Sequence, residues 1–287
     1  MLRPMRKKPS ITIVGPGRLG SALAVALHHA GYRIAELISS GTAKSGKRAQ
    51  LLARSLKARH VTAETRLDAD VTWFCVPDGK IKRVAQQFSA GVEWKRKIAF
   101  HSSGALTSGE LDSLRRQGAS VASVHPMMTF VSGAIPSLES VAFGIEGDAR
   151  ALKAARRIVR DLHGMPFNLD EKSKALYHAW GTFLSPLVVA HLVTAEQVAL
   201  AAGISNAKAR KIMLPIVRQT LVNFAKFGPA DAFSGPIVRG DAVIIRRHLK
   251  SLKAIPEAAH LYTALARAGL RYLPARSRKD LEKAVKL

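Results

Sequence analysis

The chain has a single cysteine, Cys75, in 287 residues, so no disulfide can form within it. That thiol sits in an apolar run and reads as a small buried hydrophobe rather than a nucleophile. Aromatic residues are scarce, at 6%, and few are interleaved with the basic residues. With no zinc-finger or RNP-type motif either, nothing marks a dedicated nucleic-acid reader. Acidic residues are also few: 20 Asp and Glu stand against 45 Lys and Arg, a formal charge of +25. The cations run from Arg3 to Lys286, so the excess is a diffuse field. Such a field suits anionic small ligands and gives only weak, salt-sensitive adhesion to nucleic acid. No uninterrupted apolar run reaches the length of a bilayer, and the basic start Met1 to Lys8 leads into a strand instead of a signal-peptide core. The expectation is a cytoplasmic protein of two domains with no membrane span.

What is present begins at Ile11 to Gly20, Ile-Thr-Ile-Val-Gly-Pro-Gly-Arg-Leu-Gly, where a β-branched run meets glycines at G-x-G-x-x-G spacing. An Ala/Leu/Val-rich helix follows from Ser21 to Ala30. In a strand-turn-helix setting Gly15 allows the tight turn, Gly17 lets backbone approach a pyrophosphate, and Gly20 lets the helix pack on the strand. Arg18 and Leu19 complete the turn, whose helix N-terminus offers unpaired N–H groups to the anion. A second strand, Tyr32 to Ser39, ends where a dinucleotide's ribose is read. An acidic residue there would favour NAD, but the chain offers Ser39, Ser40 and Thr42, then Lys44, Lys47 and Arg48, while Glu36 comes too early. Hydroxyls followed by cations favour the 2′-phosphate of NADP over NAD.

The pattern continues as alternating helices and strands. A helix over Ala49–Leu56 precedes a short strand from Arg59 to Thr62, and Asp70–Pro77 is nearly continuous in apolar residues, as a strand buried on both faces requires. Val76 and Pro77 end it beside the expected cofactor. After a helix at Ile81–Phe88 and a strand at Lys97–Phe100 comes the loop His101-Ser102-Ser103-Gly104, and after the strand Ser120–Val124 comes His125-Pro126-Met127-Met128. His101 and His125 can each donate protons or merely hydrogen-bond backbone. Ser102 and Ser103 read as hydrogen-bonding groups, because no G-x-S-x-G elbow surrounds them. Strands at Val141–Ile145 and Met165–Leu169 flank a helix at Arg150–Leu162. The fold class is therefore an α/β N-terminal domain, residues 1–169, with a mostly parallel doubly wound sheet, followed by an all-α domain, residues 170–287.

In the second half a helix capped by Asp170 or Ser173 continues through Ala202, bent at Pro186, and its apolarity suggests burial inside a domain or a dimer. Lys174, His178, Gly181 and Ser185 share a stripe of that helix, with Tyr177 adjacent. The stripe either lines a cleft or holds a snorkelling lysine and an interface histidine. Lys208–Phe227, bent at Pro215, is followed by a Gly/Pro-rich loop from Gly228 to Gly240 and helices at Asp241–Lys253, Glu257–Ala268 and Arg278–Lys286. In that loop Arg239 can bind a carboxylate substrate or pair with an acidic side chain, and Asp241 can cap the next helix.

The succession G-P-G-R-L-G, V-P-D, H-S-S-G-A-L, H-P-M, K-A-L-Y-H-A and G-P-I-V-R-G-D resembles bacterial proteins that join a Rossmann-like domain to an all-helical C-terminal domain of unknown function. These are often labelled NADP oxidoreductases, and they are similar in architecture to pyrroline-5-carboxylate reductase, ketopantoate reductase and 6-phosphogluconate dehydrogenase. The resemblance implies a homodimer through the helical domain and an active site in the cleft between domains. It implies NADP as cofactor and a small, anionic carbonyl or imine substrate, with a 2-oxo acid of ketopantoate type as its most specific form. In that scheme Lys174 or His178 donates a proton, His101 and Ser103 orient substrate or nicotinamide, His125, Tyr177 and Ser185 line the substrate, and Arg239 holds its carboxylate. No metal is implied. The chain departs at Pro186, where the family has an asparagine. That departure favours the alternative of an NADP-binding sensor or scaffold without turnover.

Overall fold

The computed structural model describes residues 8–40, 42–61, 67–90 and 93–286, which fall in two compact units, Met1–Thr182 and Phe183–Leu287. The first unit is an eight-stranded sheet. Its strands are β1 (Ile11–Val14), β2 (Ile34–Ile38), β3 (Arg59–Val61), β4 (Val71–Phe74), β5 (Ile98–His101), β6 (Ser120–Pro126), β7 (Ala142–Gly147) and β8 (Met165–Asn168), in the spatial order β3-β2-β1-β4-β5-β6-β7-β8. β1 to β6 are parallel, β7 runs antiparallel to β6, and β8 is parallel to β7. The strand order reverses between β1 and β4, which opens a crevice at their carboxyl ends, the ligand position of doubly wound sheets. β1, β4 and β5 are buried on both faces, which is why they read as apolar runs rather than alternating ones.

Helices α1 (Arg18–His29) and α5 (Ala149–Asp161) cover one face, packing Leu23, Leu27, Ala155 and Ile158 against Ile13, Trp73 and Phe100. α2 (Ala43–Ser55) adds Ala53 to that face. On the other face α3 (Ile81–Ser89) and the short α4 (Asp112–Arg115) pack Ile81, Ala85, Phe88 and Leu114 against Val14, Phe74 and Ala99. α2 starts six residues before the expected Ala49, with Thr42 at its cap position. Thr62, expected to end the third strand, lies outside the described residues, as does the side chain of Lys44.

Two expectations change here. β6 continues through His125 and Pro126, which pair with Gly144 and Phe143 of β7. His125 is thus a strand residue rather than the start of a loop, because an antiparallel neighbour extends the ladder beyond where the parallel one stops. The first unit also runs past the expected boundary at Leu169/Asp170. Its contacts take in most of α6 (Lys174–Leu184), whose Lys174 and Tyr177 are 1% and 6% exposed.

The second unit contains α7 (Pro186–Ala201), α8 (Asn206–Ala232), α9 (Pro236–Arg239), α10 (Ala242–Leu252), α11 (Pro256–Tyr272) and α12 (Arg278–Ala284). Ser185 leaves helical geometry at φ −131°, ψ −79°, and Pro186 opens α7 in its first turn, where a proline's missing N–H costs nothing. The departure from the family asparagine therefore coincides with a helix start. The expected Gly228–Gly240 loop is largely helical: Gly228 (φ +81°) kinks α8, which resumes at Pro229, and Pro236 starts α9. Ile245, Leu249, Ala266, Leu270 and Leu281 make the unit's core, and a cavity of about 600 Å³ is lined by His191, Val198, Arg247, Leu252, Tyr262 and Leu265. Arg210 clasps Glu196 at 2.8 and 3.0 Å and ties α8 to α7.

The segment Glu171–Ala201 is apolar and long enough to cross a membrane by composition, with a mean hydropathy of 1.5, although no uninterrupted run was expected to be. It is divided at Ser185 and is 6% buried within the chain.

Candidate active site

The glycine turn is built as its spacing demands. Gly15 has φ +88°, and a Cβ there would meet Val76 Cγ1 at 2.9 Å and the Cys75 backbone at 3.0 Å. A Cβ at Gly20 would stand 2.3 Å from the Gly15 carbonyl oxygen. These two glycines serve packing. Gly17 is different: it is exposed, and a Cβ would meet nothing nearer than 4.0 Å, so the protein's own atoms do not require a glycine there. Gly17 caps α1 without a side-chain hydrogen bond, and no acidic residue occupies the helix's first turn. The N–H groups of this terminus remain open to an anion. Arg18 is exposed, Leu19 packs partly on the core, and Pro77 is exposed beyond Val76.

At the end of β2, Glu36 is fully buried and engaged by Thr12 Oγ1 at 2.7 Å and by Arg59, so it cannot reach a ribose. Ser39 is buried, with its hydroxyl 3.0 Å from His60 Nε2. Ser40 is exposed and joins Ser45 (3.2 Å), which also meets Thr42 (2.6 Å). Lys47 and Arg48 are exposed beside them.

A polar cluster lies at the far side of the same unit. Lys174 Nζ donates to Ser123 Oγ at 2.6 Å and to the Ser103 carbonyl at 3.3 Å, and stands 3.8 Å from the buried carboxylate of Glu146. Ser123 Oγ donates on to the Ser103 carbonyl (3.0 Å), and Glu146 accepts from the Ser108 N–H (2.6 Å). Burial pushes the Lys174 ammonium below its ordinary range, while Glu146 and Asp78 oppose the shift. Neither Ser123 nor Glu146 was picked out from the sequence. The buried ammonium is sealed, so its place is that of a bolt securing the start of α6.

His101 and Ser103 are likewise consumed by their own loop. The His101 ring donates from Nε2 to the Thr107 carbonyl (2.8 Å) and accepts at Nδ1 from the Ser103 N–H (3.1 Å). Ser103 Oγ donates to Asp78 (2.7 Å) and accepts from the Ala105 and Leu106 N–H groups (3.2 and 2.9 Å). Each side chain shapes the loop that ends in Gly104, rather than facing a ligand as expected.

What does face open space is His178, one helical turn along α6 from Lys174, with the partly buried His125 of β6 beside it. His178 is exposed on α6, and its ring centroid lies 6.1 Å from that of His125. Gly104 makes the floor beneath both, since a Cβ there would come within 2.7 Å of His178 Cδ2 and 2.9 Å of His125 Nε2. Tyr177 OH meets His125 Nδ1 at 2.8 Å, and Met127 packs beneath Gly181. In the second unit Ser185 holds the cap position of α7, and Arg239 Nε pairs with Asp241 at 2.9 Å. Asp241 sits at the cap of α10, but its side chain makes no capping bond there. No group of three or more metal-ligating side chains occurs among the described residues.

Burial holds the imidazoles of His101 and His125 down to about 4, against an ordinary 6.5. Between these values the unfolded chain takes up protons that the folded chain refuses, so stability falls as pH drops through that window. The loss is roughly 3 kcal/mol per ring. A urea midpoint that declines from about pH 6.5 towards 4.5 is expected, and a flat midpoint over that range contradicts the assignment.

The fold has solved relatives at low identity. BF3122 of Bacteroides fragilis matches at 22% identity with a TM-score of 0.75, over 91% of this chain and 97% of that one. TM1727 of Thermotoga maritima matches at 22% and 0.71, over 96% and 100%. A reductive aminase of Aspergillus terreus matches at 16% and 0.65, over 92% and 94%. No curated protein matches the sequence. The glycine turn and strands β1 to β6 lie within residues 2–126, which match the Rossmann-like domain, while β7, β8 and helices α6 to α10 lie within residues 141–269, which match the domain of unknown function DUF2520. The chain is a Rossmann-like domain joined to a DUF2520 domain.

Proposed function

We propose that this chain is an NADP-dependent oxidoreductase that reduces a small carbonyl or imine compound. The observation that carries the reading is Gly17. Packing explains Gly15 and Gly20, whereas Gly17 leaves an empty approach to an uncapped helix N-terminus at the crevice of a doubly wound sheet. Two solved relatives support the choice of cofactor: the A. terreus enzyme is in complex with NADPH and ethyl-5-oxohexanoate, and a Plasmodium falciparum pyrroline carboxylate reductase has NADP bound.

The residues fit the dinucleotide. Gly15, Gly17 and Gly20 with the N–H groups of Arg18 and Leu19 would hold the pyrophosphate, and Val76 and Pro77 would flank it. Ser40, Thr42 and Ser45 would meet the 2′-phosphate, while Ser39 supports them through its bond to His60. Glu36 is locked by Thr12 and Arg59 and so does not repel that phosphate. When bound, the nicotinamide supplies a hydride. His178, exposed and without a hydrogen-bond partner among the described residues, supplies the proton. Lys174 fixes the helix that carries it, and His101 and Ser103 fix the loop beneath. Arg239 keeps exposed N–H groups beyond its bond to Asp241, the feature a substrate carboxylate would use, and a 2-oxo acid is the finer substrate class this supports. A chain with one cysteine and thus no internal disulfide accords with a cytoplasmic location.

A homodimer through the helical unit forms part of the reading. On α7 and α8, Val189, Ile212, Ile216, Leu221 and Phe224 are all at least half exposed, and α7 is apolar around its circumference. Light scattering is expected to give twice the 31.0 kDa chain mass, and a monomer at micromolar concentration counts against it.

The function is tested by absorbance at the reduced-nicotinamide band, with NADPH or NADH and a panel of 2-oxo acids, ketones and imines. NADPH is expected to bind more tightly than NADH and to be consumed by at least one member. His178→Gln should lower kcat about 100-fold and leave NADPH affinity unchanged. A parallel loss of both would make His178 structural. Binding without consumption would instead favour a nucleotide sensor, the reading to which Pro186 points.

A further inference from the structure

We infer that His125 donates a hydrogen bond from Nε2 to the carbonyl oxygen or imine nitrogen of the substrate, and that Tyr177 is the positioning residue that fixes its tautomer. The identity of the acceptor rests on the reductase reading, whereas the tautomer does not.

The geometry leaves the phenol little choice. Tyr177 is 6% exposed, and burial pushes its hydroxyl up to about 12, so it keeps its proton at neutral pH. Its single O–H has two acceptors in reach, His125 Nδ1 at 2.8 Å and the His125 carbonyl at 3.5 Å. A hydrogen on Nδ1 would turn the phenol oxygen into the acceptor and leave its O–H only the long 3.5 Å contact, so the arrangement that uses the short contact best has the phenol donating to Nδ1. With Nδ1 accepting, a neutral imidazole must carry its hydrogen on Nε2. The rings meet edge to face at 5.5 Å and 89°, which holds the imidazole in plane. Gly144 permits the approach, since a Cβ there would lie 3.0 Å from the phenol oxygen.

Nε2 then lies beside Gly104, where the missing Cβ leaves it room, since a Cβ there would stand 2.9 Å from it. The ring is kept neutral by burial first, with Lys174, His178 and His101 acting in the same direction and Asp78 against them. A neutral N–H so placed polarises a C=O or C=N bond without giving up its proton. No imidazolate forms. The proton that completes the reduction comes from His178, and the hydride goes to the carbon. Two imidazoles 6.1 Å apart thus hold different roles, the partly buried one polarising and the exposed one giving the proton.

Histidine side-chain ¹⁵N–¹H correlation NMR on the full chain tests this. At about pH 7 the wild type is expected to show His125 as a single Nε2–H tautomer, and Tyr177→Phe should convert it to a mixture while leaving the urea midpoint close to that of the wild type. An Nδ1–H tautomer in the wild type, or an unchanged tautomer in Tyr177→Phe, overturns the proposal. With any substrate the panel yields, His125→Ala should lower kcat about 100-fold at unchanged NADPH affinity, and His125→Gln, whose amide N–H replaces Nε2–H, should recover part of it. Full activity in His125→Ala overturns the catalytic half. The tautomer measurement needs no turnover, so a failed reductase reading is distinguishable from a failed relay.

Discussion

Gly17→Val is expected to fold like the wild type and to lose NADPH binding by about 1,000-fold, or about 4 kcal/mol. The two halves of that expectation have separate physical origins. A Cβ at this position meets only the Gly15 carbonyl oxygen, at 4.0 Å, and the residue's φ of −76° suits any amino acid. The fold should therefore lose less than about 1 kcal/mol. The same side chain would project into the space through which a pyrophosphate reaches the N–H groups of α1. Gly20→Val supplies the contrast: its Cβ would sit 2.3 Å from backbone, so that variant should fail to fold. Titration of NADPH fluorescence alongside urea unfolding separates the cases. Undiminished binding in Gly17→Val would remove the dinucleotide from this turn.

Lys174→Met carries the second large effect. It leaves the Glu146 carboxylate, 6% exposed, without its cation, and breaking a buried pair in this way costs about 3–5 kcal/mol. The double variant Lys174→Met/Glu146→Gln should recover much of that loss, because neither charge then remains buried. Urea unfolding of the wild type, Lys174→Met, Glu146→Gln and the double variant measures the coupling directly. If Lys174→Met alone is as stable as wild type, the ammonium does not bolt α6 to the sheet, and its role as a proton donor returns.

The strand-turn-helix around Gly15 was legible because the glycine spacing states a local geometry, and the β-branched runs state which strands are buried on both faces. Lys174 and His178 were legible as one stripe of a helix, with Tyr177 adjacent. Their partners were not. Glu146 looks like a solvated residue near a strand end, and nothing in its spacing ties it to Lys174 or Ser123. That triad exists only because β7 pairs antiparallel with β6 and α6 docks beside both. An acidic residue within the apolar run Ala142–Gly147 was the one available signal, since a buried carboxylate demands a partner. His101 and Ser103 show the opposite case. Their residue types suit catalysis, but their hydrogen bonds go to backbone groups of their own loop and, from Ser103 Oγ, to the Asp78 carboxylate. The Gly228–Gly240 stretch shows a further limit, for Pro229 and Pro236 start helical turns there instead of ending them.

The central claim is that a hydride passes from a nicotinamide held at the Gly15–Gly20 turn to a carbonyl or imine carbon. It is tested most directly with NADPH carrying deuterium at the transferring position of the ring, incubated with the protein and the carbonyl and imine panel, and with the products read by mass spectrometry. The account predicts a product with one deuterium on the reduced carbon, formed by the wild type and lost in Gly17→Val. NADPH bound by the wild type with no label in any product would contradict it.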